Sequence, residues 1–267
     1  MAERMNNLTG KEWLQKSFSI WRDIVKTSEE RQTKHPALFP QKLVEELIQI
    51  YTKDAGEVIL DPFTGIGSTL RAAYALGKQG VGVELNEDFC NIAKNRVKAI
   101  QNDLFDQQIQ PYEPIIYNGD SRNLGQFLKP ESVDLVVTSP PYWNILNQKR
   151  TVDSKDVRNY SESEHDLGNF ESYEEFLNNL KLVFEQVYVA LKPNKRCCSV
   201  VMDIRKKDKF YPLHEDQSRI MREIGFELEE YVIWDRQKEY NNMKTLGYPW
   251  VFRFNKVHEY ICIYWKR

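Results

Sequence analysis

The chain has 267 residues, which is long enough to bury one α/β core. Of these residues 41% are hydrophobic and 28% charged, a composition that is ordinary for a soluble globular protein. Its formal net charge of -2 argues against binding to nucleic acid through overall charge and leaves that role to a local basic face. No apolar run is long enough to span a membrane and the first seven residues lack the apolar core of a signal peptide, so we expect a cytoplasmic protein without membrane contacts.

Strands and helices are predicted to alternate along most of the chain. Residues 1–34 are expected to form an N-terminal helical extension that packs on the sheet or supplies a dimer surface. Apolar runs then predict seven strands, at residues 58–60, 80–84, 114–117, 133–138, 197–203, 227–234 and 258–265. The alternation predicts a mainly parallel sheet, and the last two strands, with no helix between them, predict an antiparallel C-terminal hairpin. We therefore expect a single α/β domain over residues 1–267.

Two of the intervening helices have recognisable starts. One is predicted over residues 87–100, with Asn86 as its cap. The other is predicted over residues 173–191, where Ser172 and Glu175 form a capping box and apolar residues fall on one face. These helices are expected to cover the sheet.

The first strand runs into a glycine turn, residues 61–69 (DPFTGIGST). Gly65 and Gly67 would let the backbone approach a ligand closely, and Ser68 or Thr69 would cap the next helix, leaving its N-terminal amides directed at an anionic group. The turn lacks both the opening glycine of a dinucleotide loop and the lysine of a P-loop, so a pyrophosphate ligand is disfavoured.

The second strand ends in Glu84, which follows the turn by about twenty residues, the spacing at which nucleotide-binding βαβ units place an acid on the ribose hydroxyls. Together, the turn and this acid favour a ligand that has a ribose and a carboxylate-bearing chain.

The strand at residues 133–138 runs directly into Ser139, Pro140, Pro141 and Tyr142. Two consecutive prolines fix their φ angles and remove two backbone donors, so the strand must stop and present stiff carbonyls and side chains. Because the carboxyl ends of parallel strands border the ligand crevice, these residues are expected at its mouth. A bare Pro-Pro pair is more often a turn with aromatics in the core, but the glycine turn upstream favours a catalytic loop.

Cysteine and metal chemistry are not predicted. The four cysteines show no C-x-x-C spacing, and the four histidines are far apart with no H-E-x-x-H pattern. We expect no metal and interpret these residues as structural.

Residues 61–67 (DPFTGIG) and 138–142 (TSPPY) together resemble the cofactor loop and catalytic loop of the S-adenosylmethionine-dependent amino-methyltransferases that modify exocyclic amines of DNA bases. The segment 35–40 is similar to the one that encloses the methionine end of the cofactor, and Asp120 matches the acid that meets its adenine. The resemblance implies a Rossmann-like methyltransferase fold. It also implies a cofactor site formed by His35, Pro36, Phe39, Asp61, Pro62, Phe63, Gly65, Gly67, Ser68, Thr69, Glu84, Leu85, Asp120 and Ser139.

The chemistry of an exocyclic amine explains the catalytic loop. Its lone pair is delocalised into the ring, so the loop needs hydrogen-bond acceptors, such as the Ser139 hydroxyl and the Pro140 carbonyl, that turn the lone pair toward the sulfonium methyl. With Pro141 and Tyr142 these form the predicted catalytic set. Tyr142 would stack on a base that has left the duplex, at a cost of a few kcal/mol that one aromatic largely offsets.

Two long connections are candidate recognition loops, residues 145–170 and 235–257, because long loops in compact domains are usually functional or disordered. The predicted substrate-binding residues lie in or beside these loops and the catalytic loop. They are Tyr142, Trp143, Asn144, Arg158, Arg236 and Arg253.

The resemblance also bears on the substrate. Members with Ser at the first loop position, as Ser139 here, mostly act on cytosine N4, whereas Asp or Asn is usual for adenine N6, so we expect N4-methylcytosine with N6-methyladenine as the competitor. DNA is the expected partner, with a cognate restriction endonuclease in the same system, and the protein is expected to be a monomer or homodimer. The alternatives are an RNA base methyltransferase and a noncatalytic nucleic-acid-binding subunit of the same fold.

Overall fold

The computed structural model describes residues 4–32, 38–101, 112–145, 166–239 and 245–267. The helices within these ranges are α1 (Gly10–Lys16), α2 (Ser28–Gln32), α3 (Gln41–Tyr51), α4 (Ser68–Ala75), α5 (Glu87–Gln101), α6 (Tyr173–Ala190) and α7 (Leu213–Ile224). The strands are β1 (Ile20–Trp21), β2 (Val58–Asp61), β3 (Gln79–Glu84), β4 (Ile115–Asn118), β5 (Val133–Thr138), β6 (Leu191–Val201), β7 (Ile204–Lys206), β8 (Lys209–Tyr211), β9 (Glu227–Asp235) and β10 (His258–Lys266). Short 3-10 turns occupy Ser121–Gln126, Leu167–Asn169 and Gln237–Glu239.

Eight of the strands form one sheet in the order β1-β9-β10-β6-β5-β2-β3-β4. Strands β6, β5, β2, β3 and β4 run parallel to one another, whereas β10 is antiparallel to both β6 and β9. The expected mainly parallel sheet and its antiparallel C-terminal hairpin are therefore confirmed.

Both faces of the sheet are covered, as the near-continuous apolar strands require. In β5, Leu135 and Val137 face the cluster formed by α3 and α4, while Val136 faces the opposite cluster formed by α6 and α7. The helix starts agree with the predicted caps, since Ser172 accepts a hydrogen bond from the Glu175 amide and Asn86 from the Phe89 amide. This packing fixes the carboxyl ends of β2, β3 and β5 side by side.

The predicted strand count was wrong. The sheet has eight strands, because β1 from the N-terminal segment pairs in parallel with β9, so that segment is not purely helical. Strand β6 also begins at Leu191, earlier than expected, because Lys192 and Lys195 extend it by ion pairing with Asp134 and Glu57 at the sheet end. Strands β7 and β8 form a separate two-stranded hairpin.

Across the ranges that the structure describes, helices fall short of the length and apolar character needed to cross a membrane.

Candidate functional site

A cleft opens where β2, β3 and β5 end. It is lined by residues from the glycine turn, the ends of β3 and β4, and the Pro-Pro loop. The lining residues are Leu38, Phe39, Pro62, Phe63, Thr64, Gly65, Ile66, Ser68, Val83, Glu84, Leu85, Asn86, Gly119, Asp120, Ser121, Ser139, Pro141, Asp166, Leu167 and Val183. The cleft therefore lies at the edge of the sheet where ligands of open α/β folds bind.

Glu84 holds the glycine turn against the end of β3. Its Oε2 accepts a hydrogen bond from the Gly65 amide at 2.7 Å and its Oε1 accepts one from the Asn86 amide at 2.8 Å. Gly65 has φ +53° and Gly67 φ +84°, a left-handed conformation that explains the need for glycine at both positions. Burial raises the pKa of Glu84 to about 7.

Asp61 joins the glycine turn to the strand that carries the Pro-Pro loop. Its side chain is fully buried and accepts hydrogen bonds from the Thr69 hydroxyl at 2.7 Å, the Thr138 hydroxyl at 2.6 Å and the Phe63 amide at 3.0 Å. Burial raises the pKa of Asp61 to about 6 despite these donors. The carboxyl group thus fixes the distance between the two loops and does not line the cleft.

The Pro-Pro loop shares this cleft with the glycine turn, since Ser139 and Pro141 line it together with Gly65, Glu84 and Asp120. The structure therefore brings the two sequence motifs to one crevice.

Tyr142 lies behind Ser139 at the centre of a hydrogen-bond chain. Its hydroxyl donates to Glu259 Oε2 at 2.8 Å and to the Val200 carbonyl at 3.2 Å, and lies 3.0 Å from Ser139 Oγ. Glu259 is buried and forms an ion pair with Arg236. Burial and the Glu259 charge hold the pKa of Tyr142 well above its usual value, so the phenol stays protonated.

Trp143 packs into the protein core, where only 4% of its surface is exposed. Its indole Nε1 donates to the Phe170 carbonyl at 2.8 Å, and its ring contacts Tyr173 and Tyr211. Asn144 is also buried and donates to the same carbonyl at 3.1 Å. These contacts favour a supporting role for both residues under the Pro-Pro loop over the base contact predicted from the sequence.

Asp120 lines the far end of the cleft and is braced by Arg122. The guanidinium contacts Asp120 Oδ2 at 2.6 Å, and the Arg122 amide donates to Oδ1 at 2.9 Å. Asn179 accepts a hydrogen bond from the same guanidinium, which fixes the pair against α6.

The predicted site residues fall into four groups. Those that line the cleft are Phe39, Pro62, Phe63, Gly65, Ser68, Glu84, Leu85, Asp120, Ser139 and Pro141. A second group does not line the cleft: Asp61, Gly67, Thr69, Pro140, Tyr142, Trp143 and Asn144. His35, Pro36 and Arg158 fall outside the described residues.

The two remaining predicted substrate contacts are already engaged in ion pairs. Arg236 pairs with Glu259 and with Glu239. Arg253 pairs with Asp208 on the β7–β8 hairpin. Arg236 is therefore connected to the Pro-Pro loop through Glu259 and Tyr142, whereas Arg253 connects the segment before β10 to the β7–β8 hairpin.

Sequence reasoning missed Glu259, although it lies in a predicted strand. The alternation of buried and less buried residues along β10 places Glu259 on a buried face. An acid at such a position indicates a buried partner, because charges are seldom buried unpaired. Leu38 lies in the segment 35–40 and Asp166 and Leu167 in the candidate recognition loop 145–170, but none of the three was predicted individually as a cleft residue, since segments without periodicity do not indicate which side chains face a ligand.

Comparison with known proteins gives a family match over most of the chain. A family model described as DNA methylase matches residues 2–95 and 133–267. An orphan methyltransferase, M.BamHII of Bacillus amyloliquefaciens, is 33% identical over 87 residues, 30% of this chain and 32% of the relative. The type II methyltransferase M.ScaI of Streptomyces caespitosus is 41% identical over 80 residues, 30% of this chain and 26% of the relative. The matches thus span about a third or less of these relatives' length.

Solved structures support the fold. TrmN from Thermus thermophilus superposes with a TM-score of 0.50 and 15% identity, covering 85% of this chain and 48% of its own. An S-adenosylmethionine-dependent methyltransferase from Methanosarcina mazei superposes with a TM-score of 0.51 and 11% identity, covering 80% of this chain and 93% of its own. At these identities the likeness establishes the α/β Rossmann-like architecture alone.

Proposed function

Since this chain belongs to the DNA methylase family, we propose that it transfers a methyl group from S-adenosylmethionine to an exocyclic amine of a base in DNA, with cytosine N4 as the preferred target. The observation that carries the proposal is the hydrogen-bond chain from Glu259 through Tyr142 to Ser139, which leaves Ser139 as an acceptor in the cleft that Glu84 also lines.

S-adenosylmethionine is the cofactor that goes with this family membership, and the residues of the cleft fit it. Glu84 supplies carboxylate oxygens for the ribose hydroxyls, and Asp120 supplies an acid at the far end for the adenine. Ser68, the first residue of α4, lines the cleft with a buried hydroxyl that has no hydrogen-bond partner among the described residues. Together with the N-terminal amides of α4, this hydroxyl suits the carboxylate of the methionine chain.

The direction of the hydrogen bonds between Ser139, Tyr142 and Glu259 follows from counting protons. A tyrosine hydroxyl carries one proton, which Tyr142 directs at the Glu259 carboxylate and the Val200 carbonyl. Its oxygen is then left to accept from Ser139 Oγ, 3.0 Å away, and we infer that the serine proton is directed at Tyr142. The lone pairs of Ser139 Oγ remain available, so the site suits a substrate group that donates. An amine fits this site, whereas a base carbonyl at the same place does not.

The reaction needs positioning more than a strong base. When bound, S-adenosylmethionine supplies an electrophilic methyl group on a sulfonium whose departure as a neutral thioether drives the transfer. Ser139 accepts one amine hydrogen and turns the nitrogen lone pair toward the methyl group, so that the N–C bond forms as the S–C bond breaks. The nitrogen then loses a proton, for which the chain from Ser139 through Tyr142 provides a route to Glu259.

Methyl transfer to DNA tests the proposed function directly. We expect isotope-labelled methyl groups to pass from the cofactor to duplex DNA and to appear after nucleoside digestion as N4-methylcytosine. Labelled N6-methyladenine alone would refute the base assignment, and label in RNA with none in DNA would refute the substrate class.

A partner endonuclease and action in the cytoplasm remain part of the proposal, in keeping with the type II relatives.

Replacing Glu259 tests the polarity of the chain. Glu259→Gln removes the charge that directs the Tyr142 proton, so Ser139 is oriented less often as an acceptor and the rate of methyl transfer should fall about tenfold, which corresponds to about 1.4 kcal/mol. Cofactor affinity should stay within about threefold because Glu259 does not line the cleft. Glu230→Gln, an exposed carboxylate on neighbouring β9, is the matched control. A wild-type rate of methyl transfer in the Glu259 variant would show that the hydrogen bonds through Tyr142 do not orient Ser139.

The affinity for S-adenosylmethionine should depend on pH through Glu84. Burial raises the pKa of Glu84 to about 7, and only the ionised carboxylate accepts from both ribose hydroxyls while holding the two backbone amides. Binding therefore favours the deprotonated form, and affinity should weaken as pH falls below 7, by up to about tenfold per pH unit. Calorimetry from pH 6 to 8.5 measures this, with Glu84→Gln expected to bind more weakly and with a flatter profile. Identical profiles for the two proteins would exclude Glu84 as the titrating group.

A further inference from the structure

The connection before β10 exposes an unusual number of aromatic rings. Trp250 is 89% exposed, Phe252 85%, Tyr248 80% and Phe254 78%. Water-exposed apolar patches of this kind on soluble proteins usually mark a binding surface. We call residues 246–254 the aromatic finger.

The finger has a defined shape. The amides of Trp250 and Val251 both donate to the Gly247 carbonyl, at 2.9 and 2.8 Å, and Leu246 forms an antiparallel bridge with Arg253. Gly247 has φ +77°, and a Cβ placed there would lie 2.1 Å from the Val251 carbonyl oxygen, so glycine is required. The rings of Phe252 and Phe254 meet edge to face at 5.2 Å. The aromatics are therefore presented on an ordered hairpin.

The finger stands beside a basic surface. The β7–β8 hairpin and residues 245–257 together carry six cationic side chains and one acid, Asp208, which is paired with Arg253. Lys256 Nζ lies 4.4 Å from the centre of the Phe210 ring, which joins the base of the finger to the hairpin. The cations are Arg205, Lys206, Lys207, Lys209, Arg253 and Lys256.

The basic hairpin is in turn joined to the catalytic loop. Lys206 Nζ donates to Asn144 Oδ1 at 3.1 Å and lies 4.0 Å from the centre of the Trp143 ring. Both residues directly follow Tyr142 in the chain. A polyanion held on the hairpin would therefore lie next to the amine-binding end of the cleft, with the finger beside it.

We propose that the aromatic finger inserts Trp250 and Phe252 into the base stack of duplex DNA beside the target base while the basic hairpin holds the neighbouring phosphates. The inference rests on the proposed function and adds a means of opening the duplex. A base buried in a stack cannot reach Ser139, and the gap that it leaves on flipping is filled at lower cost by an aromatic wedge. The excess of positive charge around an apolar tip matches a phosphate-lined groove with stacked bases at its floor.

Methyl transfer to plasmid DNA with labelled cofactor tests the wedge. The double variant Trp250→Ala, Phe252→Ala should lose at least about tenfold in kcat/KM, the worth of one lost stacking contact, with cofactor affinity unchanged. Gly247→Val should give the same loss without removing any ring, because it distorts the finger. The control Trp13→Ala, Phe18→Ala removes exposed aromatics at the N-terminal segment and should transfer normally.

The salt dependence of DNA binding tests the hairpin separately. Lys207→Gln, Lys209→Gln should weaken binding to a labelled plasmid fragment and lower the slope of log K against log salt by about two, whereas the finger variant should leave the slope unchanged.

Three outcomes overturn the inference while the proposed function stands. The first is a folded finger variant that binds and methylates DNA as wild type does. The second is a finger variant in which only the sedimentation state changes, which would assign the finger to contact between copies of the protein. The third is a finger variant in which only flotation with anionic lipid vesicles changes, which would assign the finger to a membrane surface. A wild-type protein that transfers no methyl to DNA would instead refute the proposed function itself.

Discussion

Ser139→Ala should reduce the rate of methyl transfer by about 10²- to 10³-fold, the usual cost of removing one preorganised hydrogen-bond partner at a reacting centre. In the proposed mechanism the Ser139 hydroxyl is the acceptor at the end of the Glu259–Tyr142 hydrogen-bond chain, and with alanine the amine has no group through which to pass its proton to that chain. Cofactor affinity should change little, because Glu84, Asp120 and Ser68 keep their places. Single-turnover transfer and calorimetric binding measure the two quantities separately.

The matched control for this variant is Ser172→Ala. Ser172 caps α6 by accepting from the Glu175 amide and does not line the cleft, so its loss should cost about 1 kcal/mol of stability and leave transfer intact. A normal rate of transfer by Ser139→Ala at saturating cofactor, combined with weakened cofactor binding, would reverse the assigned role.

Gly65→Val should have the opposite effect and weaken binding of S-adenosylmethionine by roughly 10- to 100-fold. The residue has φ +53° and its amide donates to Glu84. A β-branched residue in this region costs about 1–3 kcal/mol, which the loop can avoid only by leaving the conformation that holds the carboxylate. Under saturating cofactor, transfer should recover toward the wild-type rate.

Gly225→Val separates backbone strain from the site. Gly225 ends α7 with φ +119°, and a Cβ there would lie 3.3 Å from the Tyr188 hydroxyl oxygen, so the variant is strained at a residue that does not line the cleft. We expect a lower melting temperature and an unchanged cofactor affinity. If Gly65→Val bound the cofactor normally and failed only in transfer, the glycine turn would not be the cofactor loop.

The fold was predictable where apolar runs are long. Strand β5 was predicted with its observed ends, and the two capped helices were predicted to within about two residues. Strand β1 was missed because a two-residue strand has no periodicity, and it forms only because β9 offers a free edge. The β7–β8 hairpin was missed because each of its strands has three residues, and half of these are charged.

The site was predictable in its two motifs and not in what connects them. Parallel strands that end together bring Gly65 and Ser139 to one cleft, and that follows from the sheet. The contact between Tyr142 and Glu259 joins residues 117 positions apart and depends on the exact register of β10 beside β6, which no local pattern specifies. Trp143 could equally have faced the cleft or the core, and only the neighbouring Tyr173 and Tyr211 rings decide that it packs inside.

A crystal structure of the complex with S-adenosylhomocysteine tests the central claim most directly, that one cleft between the glycine turn and the Pro-Pro loop holds the methyl donor against Ser139. We predict the ribose hydroxyls on Glu84, the amino-acid chain at the start of α4, and the sulfur facing Ser139. A ligand bound elsewhere, or bound with its sulfur turned away from Ser139, would contradict the account.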